Sequence, residues 1–214
     1  MPRRLHGAAA YGDSNAAVYD QLYPRIDPQV IDCLTVLAAG RPVLALGVGT
    51  GRCAAGLLAR GVKVCGVDGS AAMLQRCRRR LPGLPLIRAD LAMLPIRGGF
   101  GLAYSLVSTL SLLTTAEAQQ RCLAGIAAAL DPGGIYVDES TLVATSTDTL
   151  SVDCALPQFA PALRYRVRYL PLTLARLDQM TELASLRLLQ RWRTWRRQPF
   201  RPGDTEAISI YQRA

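Results

Sequence analysis

From residue 42 onward the chain alternates short apolar runs with amphipathic stretches of helical length, and glycine or proline marks nearly every exchange. Pro42-Val43-Leu44-Ala45-Leu46 is one such run, stopped by glycines, and residues 52–60 then read as a helix closed by Gly61. Residues 62–67 form the next strand, and Ser70 caps a helix that ends near Pro82-Gly83. Strands follow at 85–89 and 100–106. A long helix over 117–130 is stopped by Asp131-Pro132-Gly133-Gly134, and 135–138 supplies a fifth strand. Continuous apolar strands exchanging with helices of this length predict βαβ units and a parallel sheet buried on both faces.

The last third changes character. Residues 162–170 alternate like a strand, 174–185 read as a helix, and 186–195 and 207–213 predict two more strands, able to form an antiparallel edge on the parallel sheet. Residues 141–161 are polar and proline-containing and are expected to belong to a cap over the site. With 214 residues, 50% of them apolar and 19% charged, the chain has the balance of one well-buried domain.

Several classes are set aside by composition. No apolar run is long enough to span a bilayer, and the opening MPRRLHGAAAYGDS has too short an alanine patch for a signal peptide, so a cytoplasmic protein is expected. Cys33, Cys53, Cys65, Cys77, Cys122 and Cys154 are far apart, with no CxxC or Cys/His cluster; small core hydrophobes are expected rather than a metal site or disulfide framework. The net charge of +9 gathers in two runs, 76–80 and 191–197. The first closes a predicted helix, where cations complement the dipole; the second lies in a tryptophan-rich strand and turn. An acidic partner such as RNA is electrostatically compatible, but a solvated basic face is the expectation, and no nucleic-acid partner is expected.

The chemistry is carried by Gly47-Val48-Gly49-Thr50-Gly51, which follows the first strand directly and opens a helix. Glycines there permit a tight turn and close approach of a ligand to the backbone, and the helix start offers unpaired N–H groups. Asp68 ends the second strand about 20 residues on, where a carboxylate can accept hydrogen bonds from a ribose; a helix cap beside Gly69 is its alternative reading. The G-x-G-x-G spacing differs from the G-x-G-x-x-G of dinucleotide enzymes.

These residues, with GVDGSAAML, IRADLAMLPI and LDPGGIYVDES, resemble the class I S-adenosylmethionine-dependent methyltransferases, in order over residues 11–140 and more loosely to AISIYQR. The resemblance implies a doubly wound, Rossmann-like α/β fold with a mostly parallel seven-stranded sheet, an antiparallel C-terminal edge and a small cap. Residues 1–40 would form an N-terminal lid, 41–140 the cofactor-binding core, and 141–214 the cap and edge strands of a single domain. It implies S-adenosylmethionine as cofactor, with Gly47, Val48, Gly49 and Gly51 lining its methionine and ribose, and Asp68 and Gly69 at the ribose hydroxyls. Met73 would pack on the adenine, Asp90 would bond its amino group with Leu91 beside it, and Ser105, Leu106 and Ser108 would face the sulfonium and substrate. Tyr11 and Tyr19 resemble N-terminal lid tyrosines. Met73 and Tyr19 are alternatively core, and Asp90 a turn residue before Leu94-Pro95.

The sequence departs from the family in three places. Ala45 stands where an acid usually precedes the first glycine by two; that acid helps to hold the charged end of the cofactor's methionine. Ser108-Thr109-Leu110 replaces a common Asn-Thr-Leu, and the short segment beyond the fifth strand implies a small, closed pocket. His6 is the only histidine and lies in an N-terminal arm, so the candidate proton acceptors are Asp138, Glu139 or a tyrosine. Tyr11, Tyr19, Ser108 and Glu139 are the candidate catalytic residues.

Methyl transfer to a small molecule, with an N-, O- or carboxyl acceptor, is the leading expectation. The alternative is the azetidine-2-carboxylate synthase branch of the same fold, in which the cofactor is itself the substrate: its α-amine attacks the γ-carbon and methylthioadenosine leaves. Without the carboxylate at position 45 the amine is more easily deprotonated, which is compatible with that branch. A binding protein that has lost catalysis, and RNA methylation, are further readings; retention of Asp68, Asp90 and the glycines speaks against the first, and the lack of an RNA-binding segment against the second.

Overall fold

The computed structural model describes residues 7–142, 149–156 and 163–214. His6 and the opening arginines, and parts of the expected cap, lie outside the described residues. Three N-terminal helices, α1 (Gly7–Asn15), α2 (Tyr19–Leu22) and α3 (Pro28–Ala38), precede the alternating region. The alternation then resolves into β1 (Val43–Leu46), α4 (Arg52–Leu58), β2 (Val64–Asp68), α5 (Ala71–Arg80), β3 (Leu86–Arg88) and β4 (Phe100–Ser105). After them come α6 (Ala116–Ala129), β5 (Leu130–Thr141), β6 (Leu150–Leu156), β7 (Leu163–Tyr169), α7 (Leu174–Leu183), β8 (Leu186–Trp192) and β9 (Glu206–Arg213). Among the described residues no helix is long and apolar enough to cross a membrane.

Seven strands make one sheet in the order β3-β2-β1-β4-β5-β9-β8. The first five are parallel, and β9 is antiparallel to both β5 and β8. The sheet is Rossmann-like, mostly parallel, and closed on one side by the antiparallel C-terminal strands. All four side chains of β1 are buried, because apolar layers cover both faces. Leu34, Ala45, Leu57, Leu102 and Tyr104 belong to the layer under α3 and α4; Leu44, Leu46, Leu123, Ile126 and Leu177 belong to the layer under α6 and α7. The chain order reverses at β1, whose neighbours are β2 on one side and β4 on the other. Such a switch point opens a crevice beyond the carboxyl ends of the strands.

Local signals set the element ends. Ser70 caps α5 by accepting from Met73 N, and Arg78, Arg79 and Arg80 occupy its last turn, as the helix dipole favours. Asp131-Pro132-Gly133-Gly134 stops α6 as expected, yet β5 already begins at Leu130. Phe100 pairs with Leu130 and Leu102 with Ile135, so the turn-like segment is carried as a bulge inside a longer strand. The RYRVRYL strand does not join the main sheet: β7 pairs antiparallel with β6 in a separate two-stranded ribbon, on which α1 packs. Five of the six cysteines, Cys33, Cys53, Cys65, Cys77 and Cys122, are free thiols, and among the described residues no cluster could hold a metal ion.

Candidate active site

The crevice holds a cavity of about 530 Å³. Its first wall is the turn after β1. Gly47 and Gly49 both take positive φ, 63° and 58°, and a Cβ on Gly47 would stand 2.7 Å from Thr109 Cγ2. Gly49 exposes its backbone to the cavity under the Tyr19 ring, the nearest atom to a Cβ there being Tyr19 Cε1 at 3.8 Å. Only glycine leaves that space open for a ligand.

Asp68 closes this wall. It is 8% exposed, and its two oxygens accept from Gly49 N and Ser70 N, each at 2.9 Å. Burial pushes its carboxyl above the usual range, while those N–H groups pull it back. A carboxylate fixed by two backbone donors retains lone pairs directed at the cavity and suits a ribose diol. Gly69, Met73 and Leu91 continue the same side of the cavity.

The N-terminal helices cover it, and each is pinned by an aspartate. On α1, Asp13 accepts from Ser70 Oγ at 2.5 Å and from Ala72 N at 3.3 Å. On α2, Asp20 accepts from Thr50 Oγ1 at 2.5 Å and from Arg80 at 2.7 Å. Tyr11 and Tyr19 therefore line the cavity from above. The guanidinium of Arg52 lies 5.3 Å from the Tyr19 ring and 5.5 Å from the Tyr23 ring, and donates to the carbonyls of Tyr23 and Arg25. Burial raises the Tyr19 phenol.

The opposite wall comes from Leu106, Val107, Ser108, Glu139, Thr141, Val167, Tyr169 and Trp195. Glu139 is held by two donors, Trp195 Nε1 at 2.7 Å and Val107 N at 2.9 Å, and burial raises its carboxyl. Ser108 sits at φ 56° and its side chain accepts no capping hydrogen bond; its Oγ accepts from Thr141 N at 2.8 Å. Tyr104 and Ser111 belong to the lining with their hydroxyls buried; the Tyr104 hydroxyl lies against the Cys53 thiol, and Ser111 Oγ has no hydrogen-bond partner among the described residues.

The expected site residues thus converge, with three exceptions. Tyr104 and Leu106 line the cavity, so the two-residue period of β4 turns Ser105 away from it. Ser105 Oγ instead bonds Tyr136 Oη and Asp138, both at 2.7 Å. Asp138 is fully buried in this hydroxyl cluster, which also takes Ser140 at 2.5 Å, so Glu139 alone of the adjacent acids reaches the cavity. Gly51 is the left-handed N-cap of α4; a Cβ there would meet Cys77 Sγ at 2.7 Å, so helix packing requires the glycine. Asp90 accepts from Ala92 N at 2.9 Å as cap of the 3-10 turn Leu91–Met93 and is not among the lining residues.

Sequence reasoning did not find Arg52, Tyr23, Cys53, Tyr104, Tyr169 or Trp195 in this cavity. Arg52 had a signal: a cation in the first turn of a helix opposes the dipole and needs another reason to be there. The others carry none, being apolar or aromatic positions whose exposure depends on the assembled fold.

Comparison with known proteins agrees with this architecture. Residues 43–134 match the model of a methyltransferase domain family. The chain is 36% identical over 101 residues to the trans-aconitate 2-methyltransferase of Paracidovorax citrulli; the match spans 46% of this chain and 38% of that protein. The solved structure of the CcbJ methyltransferase from Streptomyces caelestis superposes with a TM-score of 0.85 at 26% identity, covering 97% of this chain and 99% of that one. The fold is shared with a TehB-like S-adenosylmethionine-dependent methyltransferase from Corynebacterium glutamicum, at TM-score 0.75, 18% identity, and 96% and 99% coverage. The cradle under Gly49, the fixed Asp68 and the aromatic lid fit S-adenosylmethionine, and the chain shares its fold with S-adenosylmethionine-dependent methyltransferases.

Proposed function

We propose that the protein transfers a methyl group to an amine of a metabolite-sized acceptor. The observation that carries this reading is Glu139: a half-buried carboxylate that lines the cavity and is held by Trp195 and Val107. An anionic wall attracts a protonated amine and repels a carboxylate acceptor.

Gly47, Gly49, Asp68, Met73 and Leu91 would hold the adenosine portion of the cofactor, and Tyr19 would cover it. Bound S-adenosylmethionine supplies a methyl group already activated by its sulfonium, so alignment and exclusion of water are the protein's main contributions. Tyr11, Tyr19, Val167 and Tyr169 line the cavity. Glu139 orients the acceptor amine and takes its proton; the raised carboxyl brings this base nearer to neutral pH than an ordinary glutamate. Ser108 stays a candidate for contact with the acceptor, through a hydroxyl that lines the cavity. A cavity of about 530 Å³ admits a metabolite beside the cofactor.

Incubation with S-adenosylmethionine and a panel of small amines, phenols and carboxylic acids tests this. S-adenosylhomocysteine together with a methylated amine is the expected product pair. The named relatives are methyltransferases, and none of them supports the cyclisation alternative. Methylthioadenosine and a four-membered cyclic amino acid, formed without any acceptor, would overturn methyl transfer.

A further inference from the structure

Val107 and Ser108, in the turn after β4, are the one pair of adjacent non-glycine residues with positive φ among the described residues, at 52° and 56°. Val107 is also the one β-branched residue in that region of backbone. A valine there crowds its own main chain, and glycine or asparagine is the ordinary occupant. Hydrogen bonds to β5 hold the turn against this cost. Val107 N donates to Glu139 Oε2 at 2.9 Å, Ser108 N to the Glu139 carbonyl at 2.9 Å, and Thr141 N to Ser108 Oγ at 2.8 Å.

The fold gains little from the valine side chain, which is 52% exposed. A single exposed aliphatic group is ordinary. Among the exposed large apolar side chains of the described residues, however, Val107 is the one that lines the cavity. It stands there beside the carboxylate: its own amide bonds Glu139, which brings its Cβ within about 5 Å of that oxygen. The other donor to Glu139 is the indole of Trp195, so an aliphatic and an aromatic group flank the carboxylate.

We propose that Val107 is a specificity-determining residue, whose isopropyl group packs on the carbon skeleton of the acceptor while Glu139 holds its nitrogen. The acceptor is then an amine that carries hydrocarbon next to the nitrogen, and an amine crowded by hydroxyls is the poorer substrate. The inference rests on reading the cavity as the site of amine methylation. A hydroxyl pressed against the isopropyl group gives up water and gains no hydrogen bond from it, whereas a methyl group gains contact. The strained turn offers an amide to Glu139 and an apolar side chain to the cavity from one residue, so the nitrogen and its neighbouring carbon are recognised together.

Rates with matched amines test the assignment: butylamine against propanolamine, and sec-butylamine against alaninol, pairs in which a hydroxyl replaces a methyl group. The wild-type chain is expected to favour the hydrocarbon member of each pair by about tenfold in kcat/KM. Val107→Thr keeps the β-branch and the shape, and should bring that preference down to about threefold or less. The ratio of two kcat/KM values in one preparation is independent of any unfolded fraction. Val107→Gly relieves the backbone, and is expected to raise the melting temperature while abolishing the preference. A lower melting temperature in the glycine variant would make the side chain an element of the fold and overturn its role. No preference in the wild type, or a preference unchanged in both variants, overturns the role of Val107 while amine methylation stands. If no amine of either pair is methylated, the amine reading falls and the inference with it.

Discussion

The two ends of the cavity are built from different kinds of chain. The wall proposed to hold adenosine is nearly contiguous: Gly47, Gly49, Asp68 and Met73 lie within one strand-turn-helix-strand-turn-helix passage. Its geometry is held by main-chain donors, with Gly49 N and Ser70 N on Asp68. The wall proposed to face the acceptor is assembled from β4, β5, the β6–β7 ribbon and the turn beyond β8, and its central contact joins Trp195 to Glu139 across 56 residues of sequence. A wall made by backbone turns fits any nucleoside-bearing ligand of the right size. One made by distant side chains is free to vary with the acceptor, and that is where selectivity belongs.

If the division is functional, substitutions at the two walls separate binding from turnover. The largest effect is expected at Glu139. Glu139→Ala and Glu139→Gln should each lower kcat by at least about a hundredfold with an amine acceptor, the usual scale for loss of a positioned base. S-adenosylmethionine affinity by calorimetry should stay within a few-fold. Equal losses in turnover and cofactor affinity would mean that the walls do not act separately; unchanged kcat would remove Glu139 from proton transfer. Glutamine places an amide N–H against one of the two donors that hold Glu139, so agreement between both variants guards against a purely local disturbance.

Asp68→Ala reverses that pattern. Losing a buried, fixed acceptor for two ribose hydroxyls should weaken S-adenosylmethionine binding by about thirtyfold or more, with kcat at saturating cofactor much less affected. Calorimetry gives the first quantity and saturation kinetics the second. Wild-type affinity in the variant would take Asp68 out of the site and leave it a cap for the turn before α5.

The same contrast explains what could be read from the sequence. The parallel sheet and the turn between β1 and α4 follow from local patterns: strand-length apolar runs, a glycine turn, and an acid at the end of the next strand. The misassigned positions are those where a local motif was carried too far. Ser105 lies within the motif but on the other face of β4, as the period of a strand requires once Tyr104 faces the cavity. Gly51 serves the approach of α4 to Cys77, a contact between helices that no local pattern encodes. Trp195 and Tyr169 reach the cavity only because the C-terminal strands and the ribbon fold back over it. The paired β6 was hidden in a segment whose composition resembles a loop, its pairing partner being the alternating β7.

Asp138 sharpens the comparison from outside the cavity, on the opposite face of β5 from Glu139. Its oxygens are fully enclosed by Ser105, Tyr136 and Ser140, yet burial outweighs those donors and raises its carboxyl. A carboxyl with a higher pKa folded than unfolded binds its proton more tightly in the native state. Its contribution to stability is therefore complete below the ordinary carboxyl value of 3.8 and is lost as pH rises through the raised folded value. Asp138→Asn keeps the size, removes the titration, and should flatten the fall in thermal stability over that window, leaving cofactor affinity within about twofold because the group lies outside the cavity. Melting temperatures from pH 4 upward, compared between the variant and the wild type, decide the matter. An equal slope in both chains would show that Asp138 stays ionised among its three hydroxyls, which would then outweigh the cost of burying the charge.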